Sequence, residues 1–386
     1  MKIAYVHDSP VPSRSANAVH VMKMCAALAR QGAEVTLFCP KAEIEGNPYS
    51  MYGVPEIFKI CHVLPNHLLN KIPLVRSLSV AFNTAKTVKR LGYDFIFGRS
   101  TLAVYILRSY KPFIYESHNL PANKYRLFAE KGIMRCKNLV THVVITEGLK
   151  SDYIKSYPFV NSQNITILQD AADCAQSVTE NSLPIDVSKK LNIKQKPVIG
   201  YLGHLYPGKC MEILSQIARM RPQYDFHIVG GKDEWVNKWK QDQRCADLNN
   251  IKFYGYVENK TISYYYNLFD ICILPFSSQI VIGDFKNANI GRWTSPLKLF
   301  EAMSYGKPIL TTNLSTIKEV LTDNVDCMME SENNIVGWCQ KLDLLISDES
   351  LRNKFGQAAL QLFELNYTWD IRAKKIVDLF VKFETI

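Results

Sequence analysis

The sequence predicts an α/β protein of two units, each built on a mostly parallel sheet. Short apolar runs alternate with segments of helical period through both halves, and a polar stretch separates the halves. At roughly 100–200 residues per domain, 386 residues make two such units.

The first half opens with a strand, Lys2–Val6, ended by His7 and Asp8. A helix follows from about Asn17, with Val21, Cys25 and Leu28 on one stripe, and stops at Gly32. Glu34–Cys39 is the next strand. Further runs at Phe95–Phe97, Phe113–Tyr115, Val143–Ile145 and Ile165–Leu168 continue the series. Asp170–Lys196 is polar, ends before Pro197, and reads as the connection. The second series has strands at Val198–Leu202, Phe226–Val229, Ile251–Tyr254, Ile271–Leu274 and Ile309–Thr311. The last segment is an amphipathic helix with Trp369, Ala373, Ile376, Phe380 and Phe383 on one face, which must dock on one of the units.

Composition is that of a folded globular chain, 47% hydrophobic and 21% charged, which excludes disordered, collagenous and coiled-coil classes. No run of ~18 apolar residues is present to span a bilayer. The opening strand is too short to be the apolar core of a signal peptide. A cytoplasmic location is therefore expected, with the ten cysteines mostly buried thiols. They are scattered without a Cys-x-x-Cys pair, so no zinc or disulfide framework is predicted.

The net charge of +10 is unevenly spread. Residues 1–193 hold 23 Lys and Arg against 14 Asp and Glu, or +9, and the remainder carries +1. Such asymmetry is either a solubilising surface or a sign of an anionic partner for the first half. The segment Phe58–Arg90 mixes Lys59, Lys71, Arg76, Lys86, Lys89 and Arg90 with Leu68, Leu69, Ile72, Leu74, Val75 and Leu78, a composition suited to an anionic membrane surface. Part of it must also be core, and Leu74, Leu78, Ala81, Ala85 and Val88 form the expected buried stripe.

In open α/β sheets, ligands bind where strands end and helices begin. Three junctions stand out. In Trp293–Pro308, Ser295 is placed to cap a helix whose first residue is Pro296, and Gly306 and Pro308 stop it. The Leu297 and Lys298 amides would be open donors at a positive helix end, reinforced by the Lys298 ammonium. Glu301 lies one turn on, where a carboxylate suits ribose hydroxyls. The same pattern also fits an ordinary capped helix with a solvated ion pair. In Gly203-His204-Leu205-Tyr206-Pro207-Gly208-Lys209, two glycines allow close backbone approach beside a lysine. Neither the Walker spacing nor a Gly-x-Gly-x-x-Gly fingerprint is present, which disfavours P-loop enzymes and dehydrogenases. In Tyr115-Glu116-Ser117-His118-Asn119, a histidine leaves a strand end, either as a substrate contact or as a structural donor.

Together these junctions resemble the GT-B glycosyltransferases, the large retaining glycogen-synthase-like, family 4 clan that includes bacterial glycan-assembly enzymes. The resemblance runs through Ala26-Leu28…Gly32-x-Glu34-Val35-Thr36-Leu37, Val144–Leu149, Tyr201–His204, Phe253–Val257, Asp270–Pro275 and, most specifically, a Ser-Pro-Leu-Lys-x-x-Glu signature from Ser295 to Glu301. It implies two Rossmann-like domains facing a central cleft. Residues 1–172, with the helix 368–386 packed back on them, would form the acceptor domain, and 173–367 the nucleotide-sugar donor domain. Lys209 would hold the diphosphate, with His204 where the clan has arginine. The backbone of Pro296, Leu297 and Lys298 would take the distal phosphate, with Ser295 also among the donor-binding residues, and Glu301 would take the ribose. Tyr256 and Val257 would flank the base. His118 would meet the donor sugar, making His118, Lys209 and Glu301 the implied catalytic set. No metal or other cofactor is implied, since lysine, helix amides and histidine neutralise the leaving diphosphate.

Two departures from the clan are evident. Trp293 stands eight positions before Glu301, where a sugar-reading glutamate belongs, leaving Asp284, Asn287 and Asn289 as candidates for that task. The loop Ser9–Asn17 lacks the usual double glycine and offers Ser13, Arg14, Ser15 and Asn17 instead; Arg14, Asn17 and Glu116 are the acceptor-side candidates. The resemblance implies transfer of a sugar, from a UDP-sugar in the first instance, to a hydroxyl of a glycan or lipid-linked acceptor. It implies no nucleic-acid partner. The missing glutamate keeps a non-catalytic nucleotide-sugar-binding scaffold as the alternative.

Overall fold

A computed structural model describes residues 1–42, 46–65, 72–121, 123–175, 196–206, 211–279 and 291–385. The chain divides into two units. The first joins Met1–Asp170 to Trp369–Ile386, and the second is Ala171–Thr368.

The first unit carries, among the described residues, a seven-stranded sheet in the order β3-β2-β1-β4-β5-β6-β7. Its strands are β1 Lys2–Val6, β2 Glu34–Cys39, β3 Lys59–His62, β4 Phe95–Gly98, β5 Phe113–Ser117, β6 Leu139–Val144 and β7 Ile165–Ile167. Every pairing is parallel, with Ile3 opposite both Val35 and Phe95. Strand order reverses between β1 and β4, so their carboxyl ends open the crevice in which such sheets bind ligands. The first helix, Ala16–Arg30, starts there, capped by the Ser15 hydroxyl on the Ala18 amide.

The closing helix, Trp369–Glu384, belongs to this unit although 198 residues of the other precede it. It lies along the first helix, with Arg30 Nε 2.7 Å from Asp370 Oδ1. Trp369, Ala373, Ile376 and Phe380 are buried, and the Phe380 ring sits 4.4 Å from that of Phe95. The helix Pro73–Leu91 departs from the expected stripe. It buries Ala81, Ala85 and Val88, but Leu74 and Leu78 are 38% and 43% exposed. Its first six residues bury no side chain, and Ile72, Leu74, Leu78 and Phe82 form an exposed apolar run. Leu68, Leu69 and Lys71 lie outside the described residues.

The second unit carries, among the described residues, a six-stranded parallel sheet in the order β10-β9-β8-β11-β12-β13. Its strands are β8 Val198–Leu202, β9 Asp225–Val229, β10 Ile251–Gly255, β11 Ile271–Leu274, β12 Ile309–Thr312 and β13 Met328–Glu330. The order reverses between β8 and β11. Gly200, inside β8, is required by packing: a Cβ there would lie 2.0 Å from the buried Phe269 ring. Two cores flank this sheet, one around Phe269, Phe300 and Met303, the other around Phe226, Trp338 and Leu342.

No helix among the described residues is long and apolar enough to cross a membrane. Cys25, Cys39, Cys245, Cys272, Cys327 and Cys339 are buried free thiols, Cys61 and Cys136 are partly exposed, and Cys174 is exposed.

Candidate active site

In the second unit the signature block forms the helix Leu297–Ser304, one residue shorter at its start than the sequence predicts. Pro296 takes an extended conformation, φ −81° and ψ 118°, and is itself the cap residue; Ser295 does not cap the helix and is buried. The Leu299 amide bonds back to the Pro296 carbonyl at 2.9 Å. The amides of Leu297 and Lys298 thus precede the intrahelical ladder, at the positive end of the helix.

Lys298 and Glu301 lie one turn apart and form an ion pair, with Nζ 2.9 and 2.7 Å from the two carboxylate oxygens. Tyr266 donates to the same carboxylate at 3.3 Å. The lysine is 30% exposed at its side chain and the glutamate 18%, so both remain within reach of a ligand. Trp293, in place of the clan's glutamate, is 7% exposed in a short 3-10 turn and packs as a core residue.

Three strand ends adjoin one another in this unit. The Gly203 amide bonds to Val229 O at 2.9 Å, and the Gly230 amide to Gly255 O at 2.7 Å. A Cβ on Gly230 would lie 2.4 Å from the Gly203 carbonyl oxygen, so only glycine permits this approach. His204 and Tyr256, which follow two of these strands, are exposed, while Val257 packs on the core around Phe269. Lys209, Asp284, Asn287 and Asn289 lie outside the described residues.

In the first unit His118 follows β5 directly, with its side chain 20% exposed. Its Nε2 is 2.7 Å from Glu116 Oε1. Glu116 is wholly buried, so it is not an acceptor contact as the sequence suggested. Its oxygens are already engaged: Arg372 Nη2 is 3.0 Å from Oε2, Arg99 Nε is 3.8 Å from Oε1, and His20 Nε2 is 3.1 Å from Oε1. That last approach is close but out of line for a hydrogen bond. His20 Nδ1 is bonded to Asp170 Oδ1 at 2.8 Å. Asn17, exposed at the start of the first helix, accepts from Arg99 at 3.0 Å, and Arg14 is exposed in the preceding loop.

The electrostatics of this cluster follow from burial and the two guanidinium groups. Burial alone would raise the Glu116 pKa, but Arg372 and the neighbouring histidines hold it well below the usual carboxylate range. Burial, then Arg99, pushes His118 down to about 4 against the opposing pull of Glu116 and Asp170. The result is an ionised carboxylate beside a neutral imidazole at pH 7. Ligand atoms of His20, Glu116 and His118 lie within 4.8 Å of one another, a spacing a metal ion could bridge. The guanidinium groups of Arg372 and Arg99 oppose a cation there, because they already neutralise the carboxylate.

Sequence reasoning missed His20, Arg99, Asp170 and Arg372. Each comes from a different element, and no local motif announces them.

Two family models match the chain. "Glycosyltransferase Family 4" covers residues 18–176, and "Glycosyl transferases group 1" covers residues 185–362. The chain is a GT-B glycosyltransferase. It is 26% identical over 147 residues to the putative teichuronic acid biosynthesis glycosyltransferase TuaH of Bacillus subtilis, a match spanning 38% of this chain and 34% of that protein. It is 24% identical over 194 residues to the N,N'-diacetylbacillosaminyl-diphospho-undecaprenol alpha-1,3-N-acetylgalactosaminyltransferase of Campylobacter jejuni, spanning 50% of this chain and 46% of that protein. The matched stretches thus span about a third to a half of these curated relatives. The fold of this glycosyltransferase is also that of Anabaena Alr3699/HepE, solved in complex with UDP-glucose. The TM-score is 0.71 at 16% identity, with 99% of this chain and 100% of that chain covered.

Proposed function

We propose that this glycosyltransferase moves a sugar from a nucleotide diphosphate sugar, in the first instance a UDP-sugar, to a hydroxyl of a glycan or lipid-linked acceptor in surface-polysaccharide assembly. The observation that carries this reading is the start of the Leu297–Ser304 helix, where open amides and the Lys298 ammonium coincide with Glu301. When a diphosphate arrives, Lys298 exchanges its bond to Glu301 for one to phosphate, and the freed carboxylate accepts from ribose hydroxyls. Lys209 adds a second cation, Tyr256 and Val257 flank the base, and His204 lies beside the diphosphate.

The acceptor hydroxyl attacks the anomeric carbon from the face that the diphosphate vacates, so configuration is retained. The anomeric C–O bond to the diphosphate breaks as the new C–O bond forms, and the acceptor proton passes to the departing phosphate oxygen. Stabilisation of the leaving charge comes from protein donors, without a metal ion. The names of the relatives support the glycan setting. The reaction is cytoplasmic, and the basic first unit approaches the anionic inner face of the membrane through the exposed run Ile72, Leu74, Leu78 and Phe82.

A thermal-shift panel of UDP, GDP, dTDP and ADP tests the donor site. Stabilisation by UDP above the others is expected, amounting to ~2.7 kcal/mol at one hundred times Kd. No stabilisation by any of the four would overturn the reading. Product analysis with a panel of UDP-sugars, with and without chelator, then tests retention and independence from metal. A buried Trp293 in place of the sugar-reading glutamate favours one other reading, a non-catalytic scaffold, which any turnover excludes. Co-sedimentation should favour vesicles of anionic phosphatidylglycerol over those of phosphatidylcholine alone; equal partition would remove the membrane contact.

A further inference from the structure

We propose that Glu116 is a positioning residue that fixes His118 as its Nε2-protonated tautomer, leaving Nδ1 as a hydrogen-bond acceptor for a substrate hydroxyl. The proposal rests on the reading above only in the identity of what Nδ1 meets.

The argument begins with the carboxylate. Glu116 is buried and bonded by Arg372 Nη2 at 3.0 Å, so it is an anion and can only accept. His118 Nε2, 2.7 Å from Oε1, must therefore be the donor. A neutral imidazole that donates through Nε2 carries a lone pair at Nδ1. That atom makes no hydrogen bond among the described residues, and the side chain retains 20% exposure.

The carboxylate is itself locked from several elements. Arg372, on the closing helix, also donates to the carbonyls of Gln169 at 3.0 Å and Leu168 at 3.3 Å. His20, on the first helix, is anchored by Asp170 at 2.8 Å and packs edge-on against the rings of His118 and Trp369 at 5.1 and 5.0 Å. The imidazole is thus held by one hydrogen bond and one aromatic wall, and both are fixed by residues distant in sequence. Buried histidines elsewhere in the chain also leave one nitrogen unbonded, Nδ1 of His142 and Nε2 of His227, but there the open atom is sealed from solvent. Here one nitrogen is tied and the other left open, as expected of a ring aimed at a ligand.

The consequence concerns selectivity. An acceptor nitrogen recognises a hydroxyl through its hydrogen and is left unpaired by a deoxy sugar. A fluoro or deoxy analogue of the contacted hydroxyl should therefore react at least about tenfold more slowly, while the same change elsewhere on the sugar has less effect.

The test is nitrogen NMR of the full chain labelled with 15N-histidine, with His118 assigned by comparison with His118→Ala. Wild type should show His118 with protonated Nε2 and pyridine-type Nδ1. In Glu116→Gln, whose amide can donate to the ring, the Nδ1-protonated tautomer should become populated. Turnover with a UDP-sugar panel should fall at least about tenfold in kcat, with UDP stabilisation of the fold unchanged. Asp170→Asn, which loosens His20 without touching His118, keeps the test open if Glu116→Gln fails to fold; it should broaden or shift the His118 signals. A wild-type His118 protonated at Nδ1, a tautomer unmoved in folded Glu116→Gln, or, where that variant does not fold, His118 signals unchanged in Asp170→Asn, overturns the proposal. A tautomer switch in Glu116→Gln with full turnover instead leaves the positioning intact and removes the role of His118 in sugar transfer.

Discussion

The closing helix offers a direct probe of how the chain is divided. Phe380 lies only a few residues from the end of the chain, yet it is fully buried against Phe95 of β4. Phe380→Ala removes a buried aromatic ring and leaves a cavity, which costs about 3–5 kcal/mol. For a unit of this size that corresponds to a fall in Tm of roughly 6–20 °C. Val381→Ala, at a 45% exposed neighbour, should change stability by less than about 0.5 kcal/mol and serves as the control. Hydrogen exchange read by mass spectrometry localises the effect. In Phe380→Ala, peptides from residues 1–170 should lose protection while those from 171–368 keep it, because the helix packs on the first unit. Loss confined to 171–368, or a Tm change no larger than in the control, would refute this assignment of the helix.

Three further outcomes are expected. Lys298→Ala should lower kcat/KM about 10–100-fold through loss of a charge-assisted contact, with stability nearly unchanged because the Lys298–Glu301 pair is partly solvated; equal turnover would refute the placement of phosphate at this helix. Gly200→Ala forces a methyl into the Phe269 ring and should cost about 1–3 kcal/mol, with exchange protection lost in 171–368 and kept in 1–170, the reverse of Phe380→Ala. Glu130 is buried and accepts from the hydroxyls of Tyr115, Tyr153 and Tyr157. Burial raises its pKa above the ordinary value despite these bonds, so folding takes up a proton. Its favourable contribution is complete below the unfolded pKa and is lost as pH rises through the folded one. Glu130→Gln should therefore gain Tm relative to wild type as pH rises from about 4, where the unfolded carboxyl begins to ionise, towards neutrality; a constant difference across that rise would contradict the assignment.

The strands that alternate with helices were legible because apolar runs of four to six residues have few other uses. β3 and β13 were not. Lys59–His62 is a half-exposed edge, and Met328–Glu330 is too short to show a pattern. The Ser295–Glu301 block was legible as a helix start with a lysine and a glutamate one turn apart, since helical geometry alone brings those two together. Its exact boundary was not, because Pro296 adopts an extended conformation and becomes the cap.

Local sequence therefore determined the α/β class, most strands, the helix Leu297–Ser304 and the amphipathic character of the closing segment, all of which follow from spacing over a few residues. Tertiary structure alone decided what Glu116 is. Sequence places it two residues from a candidate histidine; packing buries it and surrounds it with Arg99, His20 and Arg372, up to 256 residues away. The physical reason is that burial and charge pairing set a carboxylate's role, and both are properties of neighbours that the chain brings together only when it folds.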